Sequence, residues 1–255
     1  MRFINHDEKQ GPTSLHIEEC EVPSYNPEVE RLIRVEATAV NRADLLQSMG
    51  KYPPPQGVTN IIGLECSGYL VDPQTNQVTG EKVMALVSGG AYAQYVKVHK
   101  DHLMQLPKNM DFATSAAIPE AWITAYQLLH KIAKIKEGET ALILAAASGV
   151  GTCLIQLCKY AGASSIAVSS SYDKLQRCKE LGSFDGINYK QFPVFSERVK
   201  LITDGEGADV ILDPVMGTFF NCNLECLAMD SRWVIYGFMG GIKIREANMM
   251  KLMNQ

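Results

Sequence analysis

The chain has 255 residues, of which 46% are hydrophobic and 20% are charged, and its formal net charge is −4 at pH 7. That length suits one large domain or two modest ones, and the composition is ordinary for a globular protein with a sizeable core. The charge excludes a general attraction to nucleic acid or anionic membranes, because phosphate neutralisation needs clustered Lys and Arg. No secretory signal opens the sequence and no apolar run approaches the ~20 residues of a membrane span, so we expect a soluble, cytoplasmic protein.

The chain up to about residue 120 has the pattern of a β-rich domain. Short apolar or alternating runs are broken by Gly and Pro, which is typical of strands joined by turns. The predicted strands cover residues 32–35, 61–71, 83–87 and 91–98. We assign residues 1–120 to this first domain.

Beyond that point, apolar strands alternate with amphipathic helices. The predicted strands cover residues 141–145, 165–168, 186–188, 209–212 and 233–236. The predicted helices cover residues 149–161, 174–181, 195–203 and 219–228. This alternation predicts a doubly wound α/β domain with a parallel sheet covered on both faces, and we assign residues 121–255 to it.

Small residues mark the first junction between strand and helix in the second domain. The pattern Ala146-x-Ser148-x-x-Gly151 follows an apolar strand and opens a helix. Small residues there allow a tight turn and bring backbone N–H groups close to a ligand, and the positive end of the helix favours a pyrophosphate. The three-glycine fingerprint is only partly present. A helix that simply packs closely on the sheet therefore explains this motif equally well.

The end of the second strand of this domain indicates which dinucleotide binds. An NAD-binding unit usually carries Asp or Glu about 20 residues past the glycines, where the carboxylate holds the ribose 2′-hydroxyl. Here the strand ends in Ser169-Ser170-Ser171, with Lys174 close behind, and Asp173 is expected one position into the next helix. Hydroxyls and a cation suit a 2′-phosphate, so we favour NADPH over NADH. The alternative is a Ser-rich helix cap beside a surface lysine.

The chain contains seven cysteines. None forms the C-x-x-C pair of a zinc ribbon or redox dithiol. Cys222 and Cys226 are four residues apart and would share a helix face, which two metal ligands could use. Free buried cysteines in a reducing compartment are the commoner explanation, and we expect no metal site.

Five short motifs occur in an order that resembles one enzyme family. They are NRADL at 41–45, YPPP at 52–55, GLE at 63–65, AIPEAWITA at 117–125 and SGVG at 148–151. Together they resemble the zinc-independent quinone oxidoreductase branch of the medium-chain dehydrogenase/reductase superfamily, from about residue 1 to Gly241. The resemblance implies a GroES-like catalytic domain followed by a Rossmann domain, with cofactor and substrate between them.

The resemblance also implies roles for individual residues. Asn41 and Tyr52 are expected at the nicotinamide and substrate end, as catalytic residues, and Asn41 and Thr124 are expected beside the nicotinamide. The other implied cofactor-binding residues are Ser148, Gly149, Val150, Gly151, Ser171, Lys174 and Tyr189. Each has an alternative: Asn41 and Tyr52 are also ordinary loop residues, and Thr124 is also a suitable helix cap.

The implied chemistry is hydride transfer from NADPH to ortho-quinones, with a possible net one-electron outcome. Zinc alcohol dehydrogenases of this superfamily carry Gly-His-Glu, whereas this chain has Leu64 in place of the histidine ligand. Leucine cannot coordinate zinc, so we expect no zinc-dependent alcohol oxidation at that position. Tyr52 is a candidate hydrogen-bond donor to the developing oxyanion, and solvent is another.

The end of the chain departs from the family pattern. Family members continue past the strand at 233–236 with a helix and a sixth strand, and their chain then returns to the catalytic domain. Two copies of such enzymes commonly pair through the sixth strand to form a homodimer. We therefore expect a Rossmann domain of about five strands, with its C-terminal part missing and with impaired activity. The alternatives are an alkenal or enone double-bond reductase, and a catalytically silent shortened isoform that acts by binding a partner. Pro214, after Asp213, is a second departure from the pattern.

Overall fold

The computed structural model describes residues 1–244, 246, 247 and 250. The chain divides into two compact units, Met1–Glu120 and Ala121–Gln255. None of the helices in the described part of the chain has the length and apolar character of a bilayer-spanning segment.

The first unit is built on a five-stranded antiparallel sheet and a two-stranded ribbon. The ribbon pairs β1 (Arg2–Asn5) with β2 (His16–Glu19). The sheet contains β3 (Glu30–Thr38), β4 (Glu65–Val71), β5 (Val78–Leu86), β6 (Tyr95–His99) and β7 (Leu103–Gln105), in the order β6-β3-β4-β5-β7. The helices are α1 (Arg42–Ser48) and α2 (Phe112–Ala116), with short 3-10 helices at Gly11–Ser14 and Lys100–His102. Apolar residues from several strands of this sheet, such as Ile33, Val83 and Val96, pack together in one core cluster.

Two of the strands predicted for this unit are shorter in the structure. Residues 61–64 and 91–94 lie outside β4 and β6 and bond to each other as loops, for example Ala91 N to Gly63 O at 3.1 Å. Gly63 has φ +100°, a left-handed conformation that interrupts extended backbone and that glycine adopts without strain. Strands β1, β2 and β7 were not predicted from the sequence.

Helix α3 (Pro119–Tyr126) spans the division between the two units and continues into a π-helix at Gln127–Ile132. The described residues of the second unit form five strands: β8 (Thr140–Leu144), β9 (Ser164–Ser169), β10 (Asp185–Asn188), β11 (Ala208–Asp213) and β12 (Leu227–Ile235). They form one parallel sheet in the order β10-β9-β8-β11-β12. The helices between them are α4 (Gly149–Tyr160), α5 (Tyr172–Leu181), α6 (Phe195–Ile202) and α7 (Phe220–Glu225).

The sheet of the second unit is covered on both faces. Along β8, Ala141 and Ile143 pack into one core cluster, while Leu142 and Leu144 pack into another. The chain runs outward from β8 through β9 and β10, then returns to the other side of β8 for β11 and β12. The predicted class, a GroES-like β-rich domain followed by a doubly wound Rossmann-type sheet, is confirmed. Ligands of such sheets bind beyond the carboxyl ends of the strands where the order reverses, here between β8 and β11.

The predicted C-terminal boundary of the last helix is wrong. The prediction extended it over residues 219–228, but α7 ends at Glu225, and β12 begins at Leu227. Leu227 pairs with Ala208 on β11, and the register then shifts before Arg232 pairs with Val210. Residues 227 and 228 belong to the paired strand, but their apolar spacing also fits a helix. The sequence pattern alone therefore did not distinguish strand from helix at these positions.

Candidate functional site

A pocket of about 480 Å³ lies in the second unit at the carboxyl ends of β8, β9 and β11. Its residues come from the β8–α4 turn, the end of β9 with the start of α5, the residue that follows β10, and two segments that follow β11 and β12. They are Ala145, Ala147, Ser148, Ser169, Ser170, Lys174, Tyr189, Val215, Thr218, Phe219, Met239 and Gly240. This is the position at which a doubly wound sheet is expected to bind a ligand.

The β8–α4 turn brings the start of α4 to the pocket. Ala145 has φ +50°, and its carbonyl accepts a hydrogen bond from Ser148 N at 2.9 Å, which closes the turn. Ser148 is the N-cap of α4, and its Oγ accepts from Gly151 N at 3.1 Å. The N–H groups of the first helical turn have no acceptor within a helix, so Gly149 and Val150 offer donors for an anion.

Gly151 permits this close approach. A Cβ built at residue 151 would lie 2.5 Å from Ala146 O and 2.7 Å from Ala145 O, so no side chain fits there. A Cβ at Gly149, in contrast, meets its nearest atom, Ala121 Cβ, at 3.9 Å. The small residues of the motif therefore serve two purposes: Gly151 allows helix and turn to pack, and the residues before it leave backbone donors accessible.

The β9 side of the pocket carries hydroxyls and a cation. Ser169 and Ser170 line it, and Lys174 Nζ lies 3.4 Å from Ser170 Oγ. In the part of the chain that the structure describes, no Asp or Glu lines the pocket. The predicted Ser171 lies at the N-cap of α5 and is not among the lining residues, and Asp173 lies in the first turn of that helix. This end of the pocket therefore lacks the carboxylate that would hold a ribose 2′-hydroxyl.

Another part of the pocket is formed by an aromatic pair and by the two segments that follow β11 and β12. Tyr189 follows β10, and its ring contacts that of Phe219 with centroids 5.1 Å apart. Thr218 Oγ1 donates to Gly240 O at 2.8 Å, which joins the segment after β11 to the segment after β12. None of the pocket residues in these two segments was predicted, and only Pro214, directly before the first segment, was singled out from the sequence.

The remaining predicted residues lie elsewhere. Asn41 is the N-cap of α1 in the first unit, and Tyr52 lies on a loop of that unit with 52% of its surface exposed. Thr124 lies inside α3, so the alternative that it caps a helix is wrong. The pocket itself brings together Ser148, Lys174 and Tyr189, with residues 149–151 at the adjoining start of α4.

Asn41 belongs to a network of polar groups in the first unit, built around the buried carboxyl groups of Asp44 and Glu65. Its Nδ2 donates to Glu65 Oε1 at 2.7 Å, and its backbone N donates to Asp44 Oδ2 at 2.7 Å. Glu120 N donates to Glu65 Oε2 at 2.8 Å, and Tyr92 Oη donates to Asp44 Oδ2 at 3.0 Å. The Asn41 amide is thus fixed in one orientation by a carboxyl group that is itself 1% exposed.

Burial raises the pKa of the three carboxyl groups in this network. For Glu65, hydrogen bonds from Glu120 N and Asn41 oppose the rise, and for Asp44 those from Asn41 and Tyr92 do so. The pKa of Glu120 is raised by burial and then by the nearby Glu65 and Asp44. Three acidic groups held close together with little solvent favour the protonated forms.

We expect Glu120→Gln to change how stability depends on pH. A carboxyl group whose pKa is raised on folding contributes stability below about pH 4, and this is lost as pH rises through the folded pKa. Glutamine at position 120 removes that loss. The variant should therefore match the parent at pH 4 and melt at a higher temperature at pH 8, as measured by thermal unfolding at both pH values. Glu81→Gln, at an exposed position, is the control, and parallel curves for parent and Glu120→Gln would contradict the expectation.

Leu64, which the resemblance places where zinc alcohol dehydrogenases have histidine, is 8% exposed and lies directly before Glu65. Among the described residues there is no group of three or more His, Cys, Asp or Glu side chains arranged to hold a metal. All seven cysteines lie in the described part of the chain, and none is in a disulfide. Burial raises the pKa of Cys66, Cys158 and Cys226 to about 12.

Comparison with protein families matches both units. Residues 27–108 match the alcohol dehydrogenase GroES-like domain, and residues 149–255 match the family described as zinc-binding dehydrogenase. Highly-reducing polyketide synthase 1 of Aureobasidium melanogenum is 36% identical over 220 residues, which are 84% of this chain and 10% of the synthase. The chain thus spans about a tenth of the length of that relative.

Solved structures resemble the chain over nearly its whole length. The Escherichia coli quinone oxidoreductase complexed with NADPH is 28% identical with a TM-score of 0.84, and the match covers 100% of this chain and 78% of that one. CurK enoyl reductase is also 28% identical, with a TM-score of 0.83, and the match covers 98% of this chain and 77% of that one.

Proposed function

Because the chain belongs to the medium-chain dehydrogenase/reductase superfamily of oxidoreductases, we propose that it binds NADPH and reduces quinones without zinc. The observation that carries the cofactor assignment is the β9 end of the pocket, where the described lining residues are Ser169, Ser170 and Lys174, with no carboxylate among them. Hydroxyl donors and an ammonium group suit a 2′-phosphate, whereas NADH would lack its usual partner. The similar quinone oxidoreductase is an NADPH complex, which supports the same assignment.

The pocket has groups of the right kind for the pyrophosphate, the 2′-phosphate and the adenosine of the nucleotide. The backbone donors of Gly149 and Val150, behind the Ser148 cap, would hold the pyrophosphate. Lys174 and Ser170 would hold the 2′-phosphate, and Tyr189 would lie beside the adenosine. Bound NADPH supplies the hydride, while the protein binds, orients and desolvates the reactants.

We further propose that Asn41, Tyr52 and Thr124 serve the nicotinamide and substrate end. The Glu65 carboxyl holds the Asn41 amide in one orientation, so that Asn41 would present its remaining N–H in a fixed direction. Tyr52 is exposed and would donate a hydrogen bond to the oxyanion of the substrate. A quinone is strongly electrophilic and needs little help from a Lewis acid, which fits the leucine at position 64.

A titration tests the cofactor assignment. We expect purified protein to bind NADPH tightly and NADH weakly, as followed by nicotinamide fluorescence. At a concentration 100-fold above Kd, NADPH would stabilise the folded state by about 2.7 kcal/mol and raise the melting temperature. Equal affinity for NADH would contradict the 2′-phosphate assignment, and no binding of either nucleotide would contradict the enzymatic proposal.

Parallel assays of substrates separate two reductase activities. The second candidate is reduction of an activated carbon–carbon double bond, and the likeness to an enoyl reductase and to a reducing polyketide synthase favours considering it. Turnover of 1,2-naphthoquinone with NADPH supports the first proposal, whereas turnover of an enone or enoyl thioester alone supports the second. Selective NADPH binding with no turnover of either would instead favour a protein that acts by binding a partner.

A further inference from the structure

Asp213, at the end of β11, is completely buried and accepts four hydrogen bonds. Its Oδ1 accepts from Val215 N at 2.7 Å and from Met216 N at 2.8 Å. Its Oδ2 accepts from Asn223 Nδ2 at 2.9 Å and from Trp233 Nε1 at 3.0 Å. Burying a carboxylate costs free energy unless its acceptors are satisfied, and here neutral donors from three parts of the unit satisfy them.

The Oδ1 bonds hold a strained turn. Met216 has φ +56° and ψ −126°, which a residue with a side chain rarely adopts. Such a conformation is energetically unfavourable and persists only where the surroundings impose it. The Met216 side chain is buried in the core, and its N–H bonds to Asp213, so the carboxylate and the core together fix the turn.

Backbone hydrogen bonds join the strained turn to the segment that follows β12. Met239 N donates to Pro214 O at 2.9 Å, Gly240 N donates to Val215 O at 2.7 Å, and Gly217 N donates to Gly241 O at 3.1 Å. The two segments touch without space for a side chain between them, since a Cβ at Gly217 would lie 2.6 Å from Gly241 O. Five residues of these two segments line the pocket: Val215, Thr218, Phe219, Met239 and Gly240.

We propose that Asp213 is a positioning residue of the pocket: through its bonds to the turn it sets the distance between the wall formed by these two segments and the start of α4. The proposal rests on the assignment of the pocket to NADPH. An apolar side chain at position 213 would leave four buried donors without an acceptor, and each unpaired buried donor costs free energy. The arrangement of its donors explains why an acceptor is required, since two of the four lie in the turn itself.

Two variants test the proposal from different sides. Asp213→Ala removes the acceptor, and Gly217→Ala leaves Asp213 intact but forces the two segments apart. We expect each variant to weaken NADP⁺ binding about tenfold or more, which corresponds to the loss of one or two hydrogen bonds in the wall. Hydrogen exchange at the Met239 and Gly240 amides, whose acceptors lie on the turn, should accelerate in both variants without any ligand.

Matched controls separate positioning from stability. Val210→Ala destabilises the same strand in the core and should lower the melting temperature without changing exchange at Met239 and Gly240 or the affinity for NADP⁺. Gly80→Ala places a Cβ in open space and should leave both readouts at the parent values.

A conservative variant should rescue the turn. In Asp213→Asn with Trp233→Phe, the amide oxygen still accepts from the turn, and the phenylalanine removes the indole donor that would face the new amide. This pair should bind NADP⁺ at least threefold more tightly than Asp213→Ala. The proposal would be overturned if the amide exchange rates and the affinity for NADP⁺ stayed within twofold of the parent values in Gly217→Ala. The same result in Asp213→Ala, if that variant folds, would also count against it. A parent protein that does not bind NADP⁺ would overturn the proposed function instead, while the exchange measurement would still decide the role of Asp213.

Discussion

Replacing Gly151 with alanine is expected to lower the melting temperature by about 4–8 °C and to weaken NADPH binding at least ~10-fold. The new Cβ would lie 2.5 Å from Ala146 O, and backbone cannot move aside as a flexible side chain would. Forced overpacking of this kind costs typically up to about 3 kcal/mol, while the better helix propensity of alanine returns about 1 kcal/mol. The net loss of about 2 kcal/mol accompanies a displacement of the start of α4, which carries the donors for the pyrophosphate.

Gly149→Ala, two residues earlier in the same helical turn, is the matched control for stability. Its Cβ has only an ordinary contact with Ala121, at 3.9 Å, so the melting temperature should stay near that of the parent. Thermal unfolding and a NADPH titration of both variants provide the measurement. A Gly151→Ala protein as stable as Gly149→Ala would show that α4 does not pack on the turn in the way described.

Replacing Lys174 with alanine should weaken NADPH binding by about 10- to 100-fold and leave NADH binding within about twofold of the parent. The basis is one charge-assisted hydrogen bond to the 2′-phosphate, which contributes about 1.5–3 kcal/mol, and NADH has no group in that place. Lys174 lies at the Ser170 side of the pocket, where the described lining residues include no other cation. Titration of each nucleotide with parent and variant gives the ratio directly.

Lys179→Ala is the control for the loss of positive charge. Lys179 lies in the last turn of the same helix and does not line the nucleotide pocket, so its removal should not alter the preference. If Lys174→Ala weakened NADH and NADPH equally, Lys174 would act on the shared part of the nucleotide or on the fold. The choice of NADPH would then need another explanation.

The sequence was most informative where local patterns are strong. All five predicted strands of the second unit are present, because a parallel sheet covered on both faces produces continuous apolar runs such as residues 141–144. The predicted end of the helix that became α7 was wrong, because residues 227 and 228 have an apolar spacing that fits both a helix and a strand. Only the pairing of Leu227 with Ala208 on β11 decides it, and that contact is distant in sequence. β7, with three residues, is too short to produce a periodic signal.

The candidate site was predictable in part for the same reason. Ser148, Lys174 and Tyr189 follow strands in local motifs, and the structure brings them to one pocket. Thr218 and Met239 could not be predicted, because the Thr218 hydroxyl and the Met239 backbone N–H join two loops that carry no sequence motif. The role of Asp213 depends on donors up to 20 residues away and on a strained Met216. A single sequence does not show such contacts.

Both tryptophans of the chain, Trp122 and Trp233, lie in the unit Ala121–Gln255. Intrinsic emission excited at the indole band therefore reports the melting of that unit alone, whereas far-ultraviolet circular dichroism follows both. The indole of Trp233 bonds to Asp213 and stacks at an angle on Phe220, so its emission wavelength will sense the state of the β11 end. Two optical probes on one sample can thus distinguish independent from concerted unfolding of the halves without labelling.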